Sequence, residues 1–148
     1  MRIGIATVQV PFITGGAEIH VRLLKEQLEY RGHIVDIITL PFKWYPPQVL
    51  LDSIKAVEYL DLTEVNAQKI ELLITMKFPM YYIEHPNKVA WLLHQHRQAY
   101  ELYETKHSDL HLTNEGRDAT QQIRSLDTQK LPKHKQIFTN SKNVANRL

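Results

Sequence analysis

The opening of the chain constrains it most, because a short apolar run, a segment of helical period and a second apolar run follow one another with little between them. "RIGIATVQV" (Arg2 to Val10) is β-rich and stops at Pro11. From Gly16 to Arg31, Ala17, Val21, Leu24 and Leu28 recur at intervals of four, three and four residues, which lays one apolar face along a helix. Its other side carries Glu18, Arg22 and Glu26, then Lys25 and Glu29, at a spacing suited to i,i+4 ion pairs. Gly32 supplies a left-handed stop, and "HIVDIITL" (His33 to Leu40) returns as a strand. Strand, helix and strand in that order predict a parallel pair joined by a crossover helix.

The same alternation continues. Pro47 is placed to begin a helix whose Leu50, Ile54, Val57 and Leu60 share a face. "ELLITM" (Glu71 to Met76) and "KVAWLLH" (Lys88 to His94) are apolar without alternation, as expected of parallel strands covered on both faces. A helix around Arg117 to Ser125, a strand "QIFTNS" (Gln136 to Ser141) and a few helical residues ending at Leu148 follow. The predicted class is α/β, an open parallel sheet with helices on both faces, within a single domain of 148 residues. Ligands of such sheets collect beyond the carboxyl ends of the strands. That rule selects Thr14 to Glu18, Pro41 to Pro47, Lys77 to Tyr82, His94 to Arg97 and Ser141 to Asn143.

Composition narrows the chemistry. Cysteine is absent, which excludes disulfides and thiol catalysis and makes a reducing compartment the default. "MRIGIATVQV" lacks the apolar block of a signal peptide, and no stretch reaches spanning length, so a soluble cytoplasmic protein is expected. A net charge of +2 sets up no field for nucleic acid, and no nucleic-acid partner is expected. Basic residues lean toward the last third, but Glu115, Asp118 and Asp127 are interspersed, which reads as solvated surface.

Gly15 and Gly16 stand between the first strand and the first helix. Without a Cβ, they allow positive φ and let a ligand come close to the backbone. They also open a helix, whose unpaired N–H groups favour an anion such as a phosphate. The alternative is a tight strand-to-helix turn with no ligand. "ITGGAE" is not G-x-G-x-x-G, and the second strand ends in "ITLPF" without an acidic residue for a ribose, which argues against a dinucleotide site. No lysine follows the glycines as in a nucleoside-triphosphatase, and the first strand does not end in the carboxylates of a phosphate-accepting receiver.

The stretch P-x-x-x-GGAE-x-H-x-x-x-L-x-x-x-L-x-x-RGH-x-V-x-x-x-T, from Pro11 to Thr39, resembles the opening of the family 4 (group 1) glycosyltransferases of GT-B fold. "NKVAWLLHQHR" and "IFTNSKNVANRL" resemble later stretches of the same family, so the likeness runs along essentially the whole chain in order. The resemblance implies a Rossmann-like N-terminal, acceptor-side domain, with the nucleotide-sugar held by a C-terminal donor domain. It implies that Gly15 and Gly16 face the cleft and meet the donor's diphosphate once the two domains close. His94 matches the family's strand-ending histidine near the transferred sugar, where an imidazole bonds a hydroxyl or steadies developing charge. Glu18, Arg97, Tyr81 and Tyr82 are the candidate acceptor-binding residues, with pairing to Glu101 as the alternative for Arg97.

Leu148 falls where the family crosses into its donor domain, so the chain alone is expected to be catalytically incomplete. Glu18 and Glu26 have the spacing of the donor-domain E-x7-E signature, but Arg22 lies four residues from each and an ion-pair ladder is the simpler reading. The intact enzyme implied here transfers a sugar with retention of configuration from a nucleotide-sugar to a carbohydrate or lipid-linked acceptor. No cofactor or metal is expected, since positive side chains and helix dipoles neutralise the leaving diphosphate.

Other groupings carry less. Among eight histidines, His94 and His96 would share a strand face and His107 and His111 a helix face, but neither pair gains a third ligand. Phe78, Tyr81 and Tyr82 follow a strand, where they either stack on a sugar or pack on the sheet. Lys43 to Pro47 is an acceptor loop, a peripheral membrane edge on the inner face, or a rigid turn. Ser141 reads as a helix N-cap. A domain without its partner half exposes an apolar edge, so self-association is a further expectation. The competing functional reading is a non-catalytic Rossmann-like module that binds a sugar or small phosphorylated ligand, or that complements a separate chain.

Overall fold

The computed structural model of the chain describes residues 1–148. Strand β1 (Arg2–Gln9) leads through α1 (Gly16–Tyr30) to β2 (Ile34–Pro41). Helix α2 (Pro47–Glu58) and a small antiparallel hairpin, β3 (Glu64–Val65) with β4 (Gln68–Lys69), precede β5 (Leu72–Thr75). Then come β6 (Lys88–Leu92), α3 (Asn114–Lys130), β7 (Ile137–Thr139) and the short α4 (Lys142–Ala145). Five strands form one parallel sheet in the order β2-β1-β5-β6-β7. The fold is a Rossmann-like α/β arrangement with helices on both faces.

Period-two alternation in β1 divides the core. Ile3 and Ile5 point to the face covered by α1 and pack with Val21, Val35, Ile74 and Met76. Ala6 and Val8 point to the other face, with Leu50, Ile54 and Val57 of α2 and Ile123 of α3. Each of those α2 side chains is buried and contributes about 2 kcal/mol through the area it removes from water. Pro47 occupies the first turn of α2, where its missing N–H costs nothing. Gly32, at φ 83°, ends α1 as expected of the left-handed stop.

Strand order fixes where a ligand can enter. The chain leaves β1 over one face to reach β2, then returns over the other face, past β1, to reach β5. Connections from neighbouring strands thus diverge to opposite faces, opening a crevice between the carboxyl ends of β1 and β5.

Several local expectations change. The predicted helix at Arg117 to Ser125 extends over Asn114–Lys130, because the Thr113 hydroxyl caps it by accepting from the Gly116 amide at 3.0 Å. Gly116 is required there, since a Cβ would lie 2.2 Å from the Leu110 carbonyl oxygen. His107 and His111 lie in turns rather than on a helix, and β6 stops at Leu92, short of His94 and His96. The Glu18–Arg22–Glu26 ladder does not form; of the pairs expected on α1, only Lys25–Glu29 does, at 2.6 Å. Asp127 is not solvated surface but 2% exposed, accepting hydrogen bonds from the hydroxyls of Tyr82 and Tyr100 at 2.6 Å each. Nor is the sheet fully covered on both faces: Trp91 is only half-buried and Phe138 beside it is exposed.

Candidate functional site

The loop after β1 is tied back by the Gln9 side-chain amide, which donates to the carbonyls of Val10 and Ile13. Gly15 caps α1 in an extended conformation at φ −132°, so the positive φ expected at this turn is absent. A Cβ on Gly16 would meet nothing within 4 Å, and one on Gly15 would meet only Glu18 Oε2, at 3.4 Å. Neither backbone conformation nor internal packing therefore requires glycine at these two places. What the missing side chains leave open is approach to the main chain from outside.

The first turn of α1 is faced by a carboxylate of its own. The Gly15 amide donates to Glu18 Oε2 at 2.8 Å, while Glu18 Oε1 accepts from Lys77 Nζ. Lys77 lies just past β5, so the pair spans the crevice between β1 and β5. Burial alone would raise the Glu18 pKa, but the Lys77 ammonium and the Gly15 amide outweigh it and hold the carboxyl below its ordinary value. An external anion at this helix start must displace Glu18, and Lys77 is the cation then left free for it.

Beyond β6 lies a shallow cleft of about 260 Å³. His94 faces it with Nδ1 at 2.7 Å from the Gln95 carbonyl, which makes Nδ1 the protonated nitrogen and leaves Nε2 as an acceptor. Burial pushes the His94 pKa down, with the Arg97 guanidinium and Lys77 ammonium acting the same way and the Gln95 carbonyl and Glu101 opposing them, so the neutral imidazole is favoured at neutral pH. Arg97 pairs with Glu101 at 2.9 Å, the second of its two expected roles. His96 is 8% exposed and tilted against Phe78, and burial lowers its pKa to about 4. Its Nε2 and the Oε1 of Gln98 are both buried without a hydrogen-bond partner. Gln98 favours the His96 cation by proximity, but the geometry between them makes no hydrogen bond. Two orphaned polar atoms in one cleft wall are costly until something pairs with them. Trp44, 39% exposed, supplies a flat apolar wall beside them.

Comparison with protein families, with curated proteins and with solved structures finds no match to the chain. Its own geometry is therefore what bears on function.

Gly15, Gly16, Glu18, His94 and Arg97 all stand at the carboxyl ends of β1 and β6, and Lys77 at the end of β5 lies between them. Tyr81 and Tyr82 do not join them. Both are fully buried in a turn of 3-10 helix at Met80–Tyr82, where they pack edge-to-face on each other and on Phe78. Neither ring is open to a ligand. Ser141 caps α4, its hydroxyl accepting from the Val144 amide at 3.3 Å. No group of three or more His, Asp or Glu side chains is gathered to hold a metal ion. No helix is long and apolar enough to cross a membrane.

The sequence placed Lys77 and His96 within the strand-end segments but gave neither the role it has here, and it did not reach Gln98. The signal for Lys77 was its place directly after an apolar run. His96 and Gln98 alternate with His94 in a segment that leaves the strand, and only the burial of their polar atoms marks them.

Proposed function

We propose that the chain is the acceptor-side domain of a retaining glycosyltransferase, which binds a carbohydrate in the cleft beyond β6 while a donor domain presents a nucleotide-sugar. The observation that carries this reading is the pair of buried, unpartnered polar atoms, His96 Nε2 and Gln98 Oε1, in a cleft walled by Trp44. A polyhydroxylated ligand that opens that wall would pair the orphaned atoms with hydroxyls and lay a C–H face on the indole. His94 Nε2, an acceptor on a neutral imidazole, is suited to take a hydrogen bond from the attacking hydroxyl. The sequence resemblance supports the same assignment. Gly15 and Gly16 then serve the donor diphosphate, whose arrival exchanges the Glu18–Lys77 pair for a phosphate–Lys77 pair.

The competing reading, a phosphorylated small ligand bound by this chain alone, requires the same displacement of Glu18 from the Gly15 amide as the donor diphosphate does, so binding and not geometry separates the two. Titration of the labelled chain with oligosaccharides and, separately, with uridine and guanosine diphosphate sugars tests the choice. The expected result is shift changes at Trp44, His96 and Gln98 with an oligosaccharide, and weak or no response to the nucleotides. Tight nucleotide binding centred on Gly16, with no response to sugars, would replace this reading by the other.

A further inference from the structure

The segment that carries His94 and His96 has a second cavity on its other side, of about 440 Å³, lined by Gln95 rather than by its neighbours. Two guanidinium groups share its wall. Arg147 donates from Nε to Gln95 Oε1 at 2.9 Å and pairs through Nη1 with Glu101 at 3.2 Å. Its Nη2 is buried and has no partner, although the side chain as a whole is 21% exposed. Arg124 donates from Nε to the Ala99 carbonyl at 2.8 Å and forms no ion pair. Both cations lie over the Tyr100 ring, at 5.6 and 5.8 Å from its centroid, which fixes them beside the cavity.

The one acidic side chain on this wall, Asp127, has its oxygens taken up by the Tyr82 and Tyr100 hydroxyls. Arg147 is balanced by Glu101, while Arg124 brings to the cavity wall a guanidinium with no carboxylate of its own. Much of the remaining wall is apolar, with Leu131, Pro132 and Ile137. A guanidinium short of an acceptor is relieved best by an oxyanion, which its forked N–H groups fit two at a time. The volume lies within the range of sites for small organic molecules.

We propose that this cavity binds an oxyanion carried on a small, flat, apolar body, a carboxylate or a phosphate monoester, at a site separate from the cleft. This holds whether or not the chain belongs to a transferase. Glu101 connects the two places, because its Oε1 meets Arg97 on the cleft side and its Oε2 meets Arg147 on the cavity side. Occupancy of the cavity therefore changes the charge balance at Arg97.

Nuclear magnetic resonance titration with benzoate, phenyl phosphate and inorganic phosphate tests the site. Benzoate or phenyl phosphate is expected to shift signals of Thr128, Leu131 and Ile137, and whichever binds more tightly identifies the anion. Inorganic phosphate is expected to bind more weakly than phenyl phosphate. Arg124→Ala removes a side chain that is exposed but bonded to the Ala99 carbonyl, so urea unfolding of the variant is measured beside the titration. The substitution should weaken binding about tenfold, as loss of one charge-assisted hydrogen bond predicts. Arg147→Lys, which keeps the charge and loses the fork, should weaken it similarly. Absence of shifts at these residues with either aryl anion, or unchanged affinity in Arg124→Ala, overturns the proposal. Inorganic phosphate binding as tightly as phenyl phosphate overturns the part played by the apolar wall.

Discussion

Lys77 reaches from the end of β5 to Glu18 in the first turn of α1, and the ion pair bridges the two strands between which the connections diverge. Because the Gly15 amide holds the other carboxylate oxygen, the pair also fastens the glycine turn to the sheet. Both side chains are mostly buried, so water screens them less than a surface pair. Glu18→Gln and Lys77→Met are each expected to cost about 1 kcal/mol in urea unfolding at neutral pH. Glu18 has a depressed folded pKa, so its contribution is present above the ordinary carboxylate range and fades as pH falls below it. The wild-type protein should lose that increment on acidification and Glu18→Gln should not. Parallel acid limbs for the two would mean that the pair contributes nothing.

Histidine burial sets a second pH window. His96 and His134 each have a pKa lowered to about 4, chiefly by burial, against an ordinary value of 6.5. Between those values the unfolded chain takes up protons that the folded one refuses, so stability falls as pH drops from about 6.5 to 4. His134 meets the Leu131 carbonyl and the Thr75 hydroxyl, both at 3.0 Å, and burial, with the Lys88 ammonium nearby, outweighs the carbonyl and keeps the ring neutral. Glu84, kept at about 2 by Lys130 and Lys133, loses its stabilising effect only at lower pH. The urea midpoint of the wild type should therefore slope downward across the histidine window, and His96→Gln should flatten the slope.

The Tyr82–Asp127 hydrogen bond joins the turn after β5 to α3 across the core. Tyr82→Phe keeps the ring packing but strips one of the two hydroxyl donors from a buried carboxylate. A loss of about 1–3 kcal/mol is expected, the cost of leaving that oxygen unpaired. Tyr100→Phe should cost less, because Tyr100 is only half-buried and water can replace its hydroxyl. Equal losses in chemical denaturation would show that access to water does not separate the two.

The elements were legible where apolar spacing was regular. Val21, Leu24 and Leu28 on α1, and Leu50, Ile54 and Val57 on α2, take the faces their periodicity assigns. What could not be read depended on partners distant in sequence. Glu18 has Arg22 at helical spacing yet pairs with Lys77, fifty-nine residues away, because the sheet brings β5 beside β1. Asp127 sits in a polar stretch yet is buried, because Tyr82 and Tyr100 converge on it from elsewhere. At the site, the carboxyl-end rule located His94 and the glycine turn, while the value of His96 and Gln98 rests on burial that no local pattern carries.

Two glycines at helix starts separate a packing role from an exposed one. Gly116 cannot be replaced without moving the Leu110 carbonyl, 2.2 Å from where a Cβ would stand, and Gly116→Ala should destabilise by several kcal/mol or prevent folding. Gly16 has open space around it and is already the first residue of α1. Gly16→Ala should leave the stability unchanged or raise it, by up to about 1 kcal/mol in urea unfolding, because alanine is the better helix former. Since neither packing nor backbone conformation asks for glycine at this position, a functional assay is what separates a ligand-facing role from an ordinary turn. If the proposed function holds, Gly16→Ala in an enzyme with its donor domain lowers turnover while the fold is kept. Full activity in that variant would return the glycine pair to an ordinary turn and remove the donor phosphate from this end of α1.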